Sequence, residues 1–136
     1  MTEHEWKVVV DALRDRGNVH RAVAAARQLH ETATLEDLPR LMQLLTDDDG
    51  LVREAAAWPV CELAGASALP ELLRALQRGF DEGLDNDGFQ AALADLVVAH
   101  RTEARDALTR LAGSSDKATR DNAAWLLEYC ESRSEP

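Results

Sequence analysis

The sequence predicts an all-α fold, with about eight helices in four helix-turn-helix pairs forming one continuous domain over residues 1–136. Three observations predict it. The chain repeats itself: residues 41–58 are echoed 67 positions later, where Leu41, Leu44, Asp49, Arg53 and Trp58 meet Leu108, Leu111, Asp116, Arg120 and Trp125. A third copy, Leu69-Pro70-Glu71-Leu72, parallels Leu38-Pro39-Arg40-Leu41 at an offset of 31. Periods of 20–50 residues are the mark of stacked repeats, which bind partners along an extended face. The composition agrees, with 46% apolar but only 4% aromatic residues. Ala and Leu dominate, which favours helices packed through small residues over a sheet. The apolar residues also recur at helical spacing between turn residues.

The elements follow in order. The first helix spans about Glu3 to Arg14, with Trp6, Val9, Val10 and Leu13 on one stripe. Gly17 ends the turn, and Asn18 caps a second helix from about Val19 to Glu31. Its inward residues are expected to be Val19, Ala22, Val23, Ala26 and Leu29. Thr34 with Asp37 makes a near capping box for a third helix carrying Leu35, Leu38, Leu41, Met42 and Leu45. Asp47-Asp48-Asp49-Gly50 turns into a fourth helix, Leu51 to Ala64, which stops at Gly65 and should kink at Pro59. A fifth helix runs from about Ala68 to Arg78, with Pro70 tolerated in its first turn. A long connector, Gly79 to Gly88, leads to a sixth helix at about Phe89 to His100. The seventh spans Thr102 to Ala112 and the eighth Ala118 to Cys130, before a polar, frayed tail from Glu131 to Pro136. The repeats thus fall at about 3–32, 34–65, 68–100 and 102–131, with a tail at 132–136.

Bulk charge excludes some functions. A net charge of −10 argues against a phosphate-backbone binder and against docking on an anionic membrane surface. It suits a basic protein partner. No apolar run approaches membrane-spanning length and the acidic N-terminus is unlike a secretory signal, so a cytoplasmic monomer is expected. Cys61 and Cys130 lie two repeats apart, roughly 20 Å at the spacing of packed helices. That is too far for a disulfide, so two free thiols are expected.

The pattern Leu38-Pro39…Asp47…Asp49…Val52-Arg53…Ala56-Ala57 resembles a HEAT repeat. The resemblance implies a right-handed α-solenoid. It also implies a ladder between an Asp in the turn and an Arg in the second helix, at Asp49/Arg53 and Asp116/Arg120. The middle repeat departs from it, with Gly88 or Phe89 where the Arg would stand, and the first keeps only Arg21 and an Ala-rich second helix. Trp58-Pro59-Val60-Cys61-Glu62-Leu63, followed by Arg78 to Gly83 and Asp85-Asn86-Asp87-Gly88, is similar to a bacterial group of small HEAT-like proteins that act as immunity partners of secreted toxins. Fold alone does not decide function, because solenoids host unrelated activities.

Surface chemistry narrows the choice. The turn at Asp47, Asp48 and Asp49 carries three net negative charges, and the connector with Asp81, Glu82, Asp85 and Asp87 carries four. Clustered like charge raises the local potential and marks a docking edge for a cationic surface. Phe80, Leu84 and Phe89 either pin that connector or offer an apolar anchor. Asp85 to Gly88 fails the calcium-loop spacing, since positions 1 and 12 would be Gly83 and Ala94, and reads as an Asx turn. His4-Glu5 and His30-Glu31 lack the partners of a metal site, and there is no phosphate loop or nucleophile elbow. No catalytic residue, cofactor or metal is therefore expected. The expected function is a non-catalytic inhibitor of a basic toxin domain, binding through Asp47, Asp48, Asp49, Glu54, Trp58, Asp81, Glu82, Asp85 and Asp87. Trp58 and Trp125 also suit plain inter-helix packing. The alternative is a HEAT-repeat scaffold or accessory subunit of the bilin-lyase type, binding through second-helix faces such as Gln90 and Asp95.

Overall fold

The computed structural model describes residues 1–132, and every regular element among them is helical. The chain divides into two compact units, Met1–Leu63 and Ala64–Pro136. The first holds α1 (Glu3–Leu13), α2 (Val19–Thr32), a 3-10 turn at Leu35–Asp37 running into α3 (Leu38–Leu44), and all but the last residue of α4 (Gly50–Ala64). The second holds a 3-10 turn at Gly65–Ala68, then α5 (Leu69–Asp81), α6 (Asp87–Ala99), α7 (Arg101–Leu111) and α8 (Lys117–Ser132). In place of about eight full helices there are seven of 11 to 16 residues and one, α3, of 7. Of the expected tail, Glu131 and Ser132 belong to α8, and residues 133–136 lie outside the described residues.

Local chemistry sets the helix ends. Thr2 caps α1 by accepting from the Glu5 amide at 3.1 Å, and Asn18 caps α2 by accepting from the Arg21 amide at 3.0 Å. The Thr34/Asp37 capping box forms, and it heads the 3-10 turn rather than α3 itself. Gly65 stops α4 with φ +60, a conformation in which only glycine avoids a steric cost. Helix α4 passes through Pro59 without ending.

In the first unit the core is Val9 and Leu13 of α1, Ala25 and Leu29 of α2, Leu41 and Leu44 of α3, and Val52, Ala56 and Val60 of α4. The expected inward stripe of α2 is out of phase. Val19 and Val23 are exposed, Ala25 is buried in their place, and Ala22 and Ala26 are only partly covered. In the second unit, Leu69, Leu72, Leu73 and Leu76 of α5 join Phe89, Leu93 and Leu96 of α6, Leu108 of α7 and Leu126 of α8. Cys61 and Cys130 are both buried, and neither is in a disulfide.

The repeat seen at residues 41–58 extends to the whole unit. Helices α5, α6 and α8 start 66 to 68 residues after α1, α2 and α4, and α7 starts 66 residues after the 3-10 turn that leads into α3. Buried Ala25 and Leu29 correspond at an offset of 67 to buried Ala92 and Leu96.

Candidate functional site

The two acidic turns differ. In the first unit, Arg14 at the end of α1 grips Asp47 with both guanidinium nitrogens, at 2.5 and 3.0 Å, and Arg16 pairs with Asp49 at 3.0 Å. Planar bidentate pairing of this kind is the strong form of an arginine–carboxylate contact. Burial pushes the Asp47 carboxyl up, but the Arg14 bond and the Asp49 amide outweigh it and hold Asp47 below the usual carboxylate range. The hydrogen bond to the Asp47 carboxylate in turn holds the Arg14 guanidinium above its ordinary value. Asp49 also accepts from the Leu51 amide at 2.9 Å, at the start of α4. The charge counted at this turn is thus largely matched by cations from the α1–α2 turn. Asp48 is exposed, and Glu54 and Trp58 are partly buried on α4.

Arg53 takes a role the expected ladder did not include. It is 1% exposed and donates Nη1 to the Asp47 carbonyl at 2.8 Å. Its counterpart Arg120 donates Nη1 to the Ser114 carbonyl at 3.1 Å, the same bond 67 residues on. Asp116, matching Asp49, likewise caps its helix by accepting from the Thr119 amide at 2.9 Å. Hydrogen bonds from the Thr119 hydroxyl and amide hold its carboxyl below the ordinary range. In both copies the aspartate caps the helix and the arginine closes the turn onto its own carbonyl.

The second acidic turn is shorter than expected. Helix α5 continues through Gly79 to Asp81 and α6 starts at Asp87, leaving a loop of residues 82–86 where a Gly79–Gly88 connector was expected. Gly79 is helical and buried because Asn86 packs on it: a Cβ there would lie 2.8 and 2.9 Å from Asn86 Nδ2 and Cγ. Asn86 adopts φ 61, is 6% exposed, and donates Nδ2 to the Leu76 carbonyl at 2.8 Å. The Asp87 amide donates to Asp85 Oδ1 at 3.0 Å, the expected Asx turn. Phe89 is buried, so it pins the loop, whereas Phe80 and Leu84 stand 40% and 43% exposed.

Around those two side chains, Asp81, Glu82, Asp85 and Asp87 are all exposed. Glu82 pairs with Arg78 at 3.1 Å, and Asp81 accepts from Gln77 Nε2 at 2.8 Å. Among the described residues no ion pair holds Asp81, Asp85 or Asp87. The structure therefore brings four of the nine expected site residues together at the α5–α6 corner. The other five lie in the first unit, where Arg14 and Arg16 engage Asp47 and Asp49.

Sequence reasoning missed a cavity of about 360 Å³ in the first unit, between the α1–α2 turn and the outer edges of α2 and α4. Val19, Val23, Leu51 and Trp58 line it, with Asp15, Arg16 and Glu54 among its polar groups. The signal was present: an α2 stripe of valines and alanines too small to fill the space beside α4. Next to Trp58, His30 Nε2 lies 2.7 Å from Glu62 Oε2, and its ring centroid is 5.9 Å from that of Trp58.

Among the described residues no three His, Cys, Asp or Glu side chains converge as metal ligands, and no helix is long and apolar enough to cross a membrane. Compared with protein-family models, curated proteins and solved structures, the chain matches none.

Proposed function

We propose that the protein is a non-catalytic binding module that neutralises a basic protein, as an immunity protein neutralises its toxin. One observation carries the reading: the α5–α6 corner presents carboxylates around two exposed apolar side chains, Phe80 and Leu84, on a backbone fixed by Asn86. Carboxylates without arginine partners steer a cationic surface, and exposed apolar side chains supply anchors that lose water on contact. The paired turn at Asp47 and Asp49 contributes less field and serves to join α1 to the α3–α4 turn. The shared aspartate cap and arginine–carbonyl bond in the two units support reading each as a HEAT-like repeat of the other. On this reading the protein is a cytoplasmic monomer.

The test is a capture from the native host with the intact protein, washed at low and then high salt, followed by assay of the captured protein's activity. A single basic partner, released by salt and inhibited by the protein, supports the proposal. The doubly reversed variant Asp85→Lys/Asp87→Lys should associate more slowly and with a flatter salt dependence. Several partners, or one indifferent to salt and to that variant, would replace this reading with a scaffold or accessory subunit.

A further inference from the structure

The repeat supplies an internal comparison for the cavity in the first unit. At an offset of 67, Ala22 and Ala26 of α2 correspond to Phe89 and Leu93 of α6, which are 2% and 0% exposed. Buried side chains of full size thus occupy in α6 the positions where α2 has alanines, so the fold does not require the space to be open. The residues at its mouth are also unusual for a surface. Val19 is 69% exposed, Val23 54% and Leu51 52%. Apolar patches that stay open on a soluble domain mark interaction sites, whereas single exposed apolar residues do not.

The edge of α4 states what chemistry fits. Leu51, Glu54, Trp58 and Glu62 follow one another at helical spacing, so apolar and acidic groups alternate along one stripe. Glu62 remains largely exposed while holding His30. Arg16 on the cavity wall is paired with Asp49. A space of about 360 Å³ is more than twice the roughly 150 Å³ engineered cavity that admits benzene. It has room for a large apolar side chain and the start of its neighbours.

We infer that this cavity is a docking pocket for a basic segment of a protein partner, which inserts an aromatic or branched apolar side chain beside Trp58 and sets lysine or arginine against Glu54 and Glu62. The inference rests on the reading of the protein as a binder of basic proteins and adds a second point of contact to it. Ala22 and Ala26 leave the space, Val19, Val23 and Leu51 form its apolar lip, and α4 provides the charge that selects cations.

The test uses the full-length protein and three capped hexapeptides: Lys-Lys-Leu-Phe-Lys-Lys, the same with Glu for Lys, and the same with Ser-Ser for Leu-Phe. Amide chemical shifts report binding residue by residue. The first peptide should give saturable shifts confined to α2 and α4, and the other two should bind at least tenfold more weakly. Ala22→Phe, which copies Phe89, should keep the melting temperature and weaken the first peptide at least tenfold. Val23→Lys at the exposed lip should do the same by repulsion, and it stands in if Ala22→Phe misfolds. Equal binding of the Glu peptide, or undiminished binding by both variants, overturns the inference. So does a concentration-dependent dimer lost in Val23→Lys, which would make the occupant a second copy of the chain. Failure of the peptides while salt-sensitive capture through Asp85 and Asp87 persists removes the pocket alone and leaves the proposed function standing.

Discussion

Gly79→Ala is the sharpest test of how the acidic corner is held. Alanine normally stabilises a helix interior relative to glycine by about 1 kcal/mol. Gly79 lies inside α5, so propensity alone predicts a gain. The structure predicts a loss. The new methyl group would sit 2.8–2.9 Å from Asn86 Nδ2 and Cγ, closer than atoms pack, so Asn86 must move. Its amide then gives up the bond to the Leu76 carbonyl inside the protein, which costs about 1–3 kcal/mol in desolvated, unpaired groups. Overpacking adds about 1–3 kcal/mol. Set against the propensity gain, the net is a destabilisation of about 1–5 kcal/mol, read from urea unfolding followed by far-ultraviolet circular dichroism. A double-mutant cycle with Asn86→Gly isolates the cause. Once the Asn86 side chain is gone the methyl has room, so the two changes together should cost at least 1 kcal/mol less than their sum. A neutral or stabilised Gly79→Ala, or strict additivity, would refute the account.

Three further predictions follow from the pairs and turns. Arg53→Ala should cost about 3 kcal/mol in urea unfolding, because it leaves the Asp47 carbonyl without a buried charged donor. Arg120→Ala, at an exposed position, should cost under about 1 kcal/mol, and equal losses would contradict the difference between the copies. Arg14→Ala should cost only about 0.5–1 kcal/mol, since Arg14 is nearly half exposed, and high salt should shrink the loss. Asp37 contributes to the acid limb. Burial raises its carboxyl, but Arg40, the Thr34 amide and the amino group of Met1 bring it below the ordinary value. A depressed folded-state pKa contributes stability that is complete above the unfolded value of about 3.9 and lost as pH falls through the lower folded value. Asp37→Asn should be less stable at pH 7 by about 1.5–3 kcal/mol, the worth of hydrogen bonds to a charged group, and should show a shallower fall in melting temperature as the pH drops through the carboxylate range. Parallel pH curves would refute that assignment.

What was legible in the sequence was local. Asn18, Thr34 with Asp37, and Gly65 mark helix ends through their own backbone neighbours, and the structure puts each to that use. Gly79 misled because it resembles turn punctuation, while its actual reason is a side chain seven positions away folding back onto it. The Asp47 and Asp49 turn misled in the same way. Charge counted turn by turn omits Arg14 and Arg16, which reach those carboxylates from 33 residues earlier. The α2 stripe was out of phase because Val19 and Val23 share helical spacing with Ala22 and Ala26, and periodicity alone cannot tell a core face from the lip of a cavity. The arginine–carbonyl bonds were signalled by the matched Arg53 and Arg120, although their acceptors were not.

Asn86 and Gly79 also bear on time as well as strength. Fixing the backbone of a residue costs roughly 1–2 kcal/mol, and a floppy acidic loop would meet that cost anew at each encounter. Here the α5–α6 loop is only residues 82–86, and its last residue is bonded into the interior before any partner arrives. A partner that grips this corner therefore meets a surface already in its final shape, so little ordering entropy opposes the contact. In such interfaces affinity is tuned chiefly by how long the complex lasts. Loosening Asn86 should consequently shorten the residence time while leaving the salt-steered arrival rate almost unchanged.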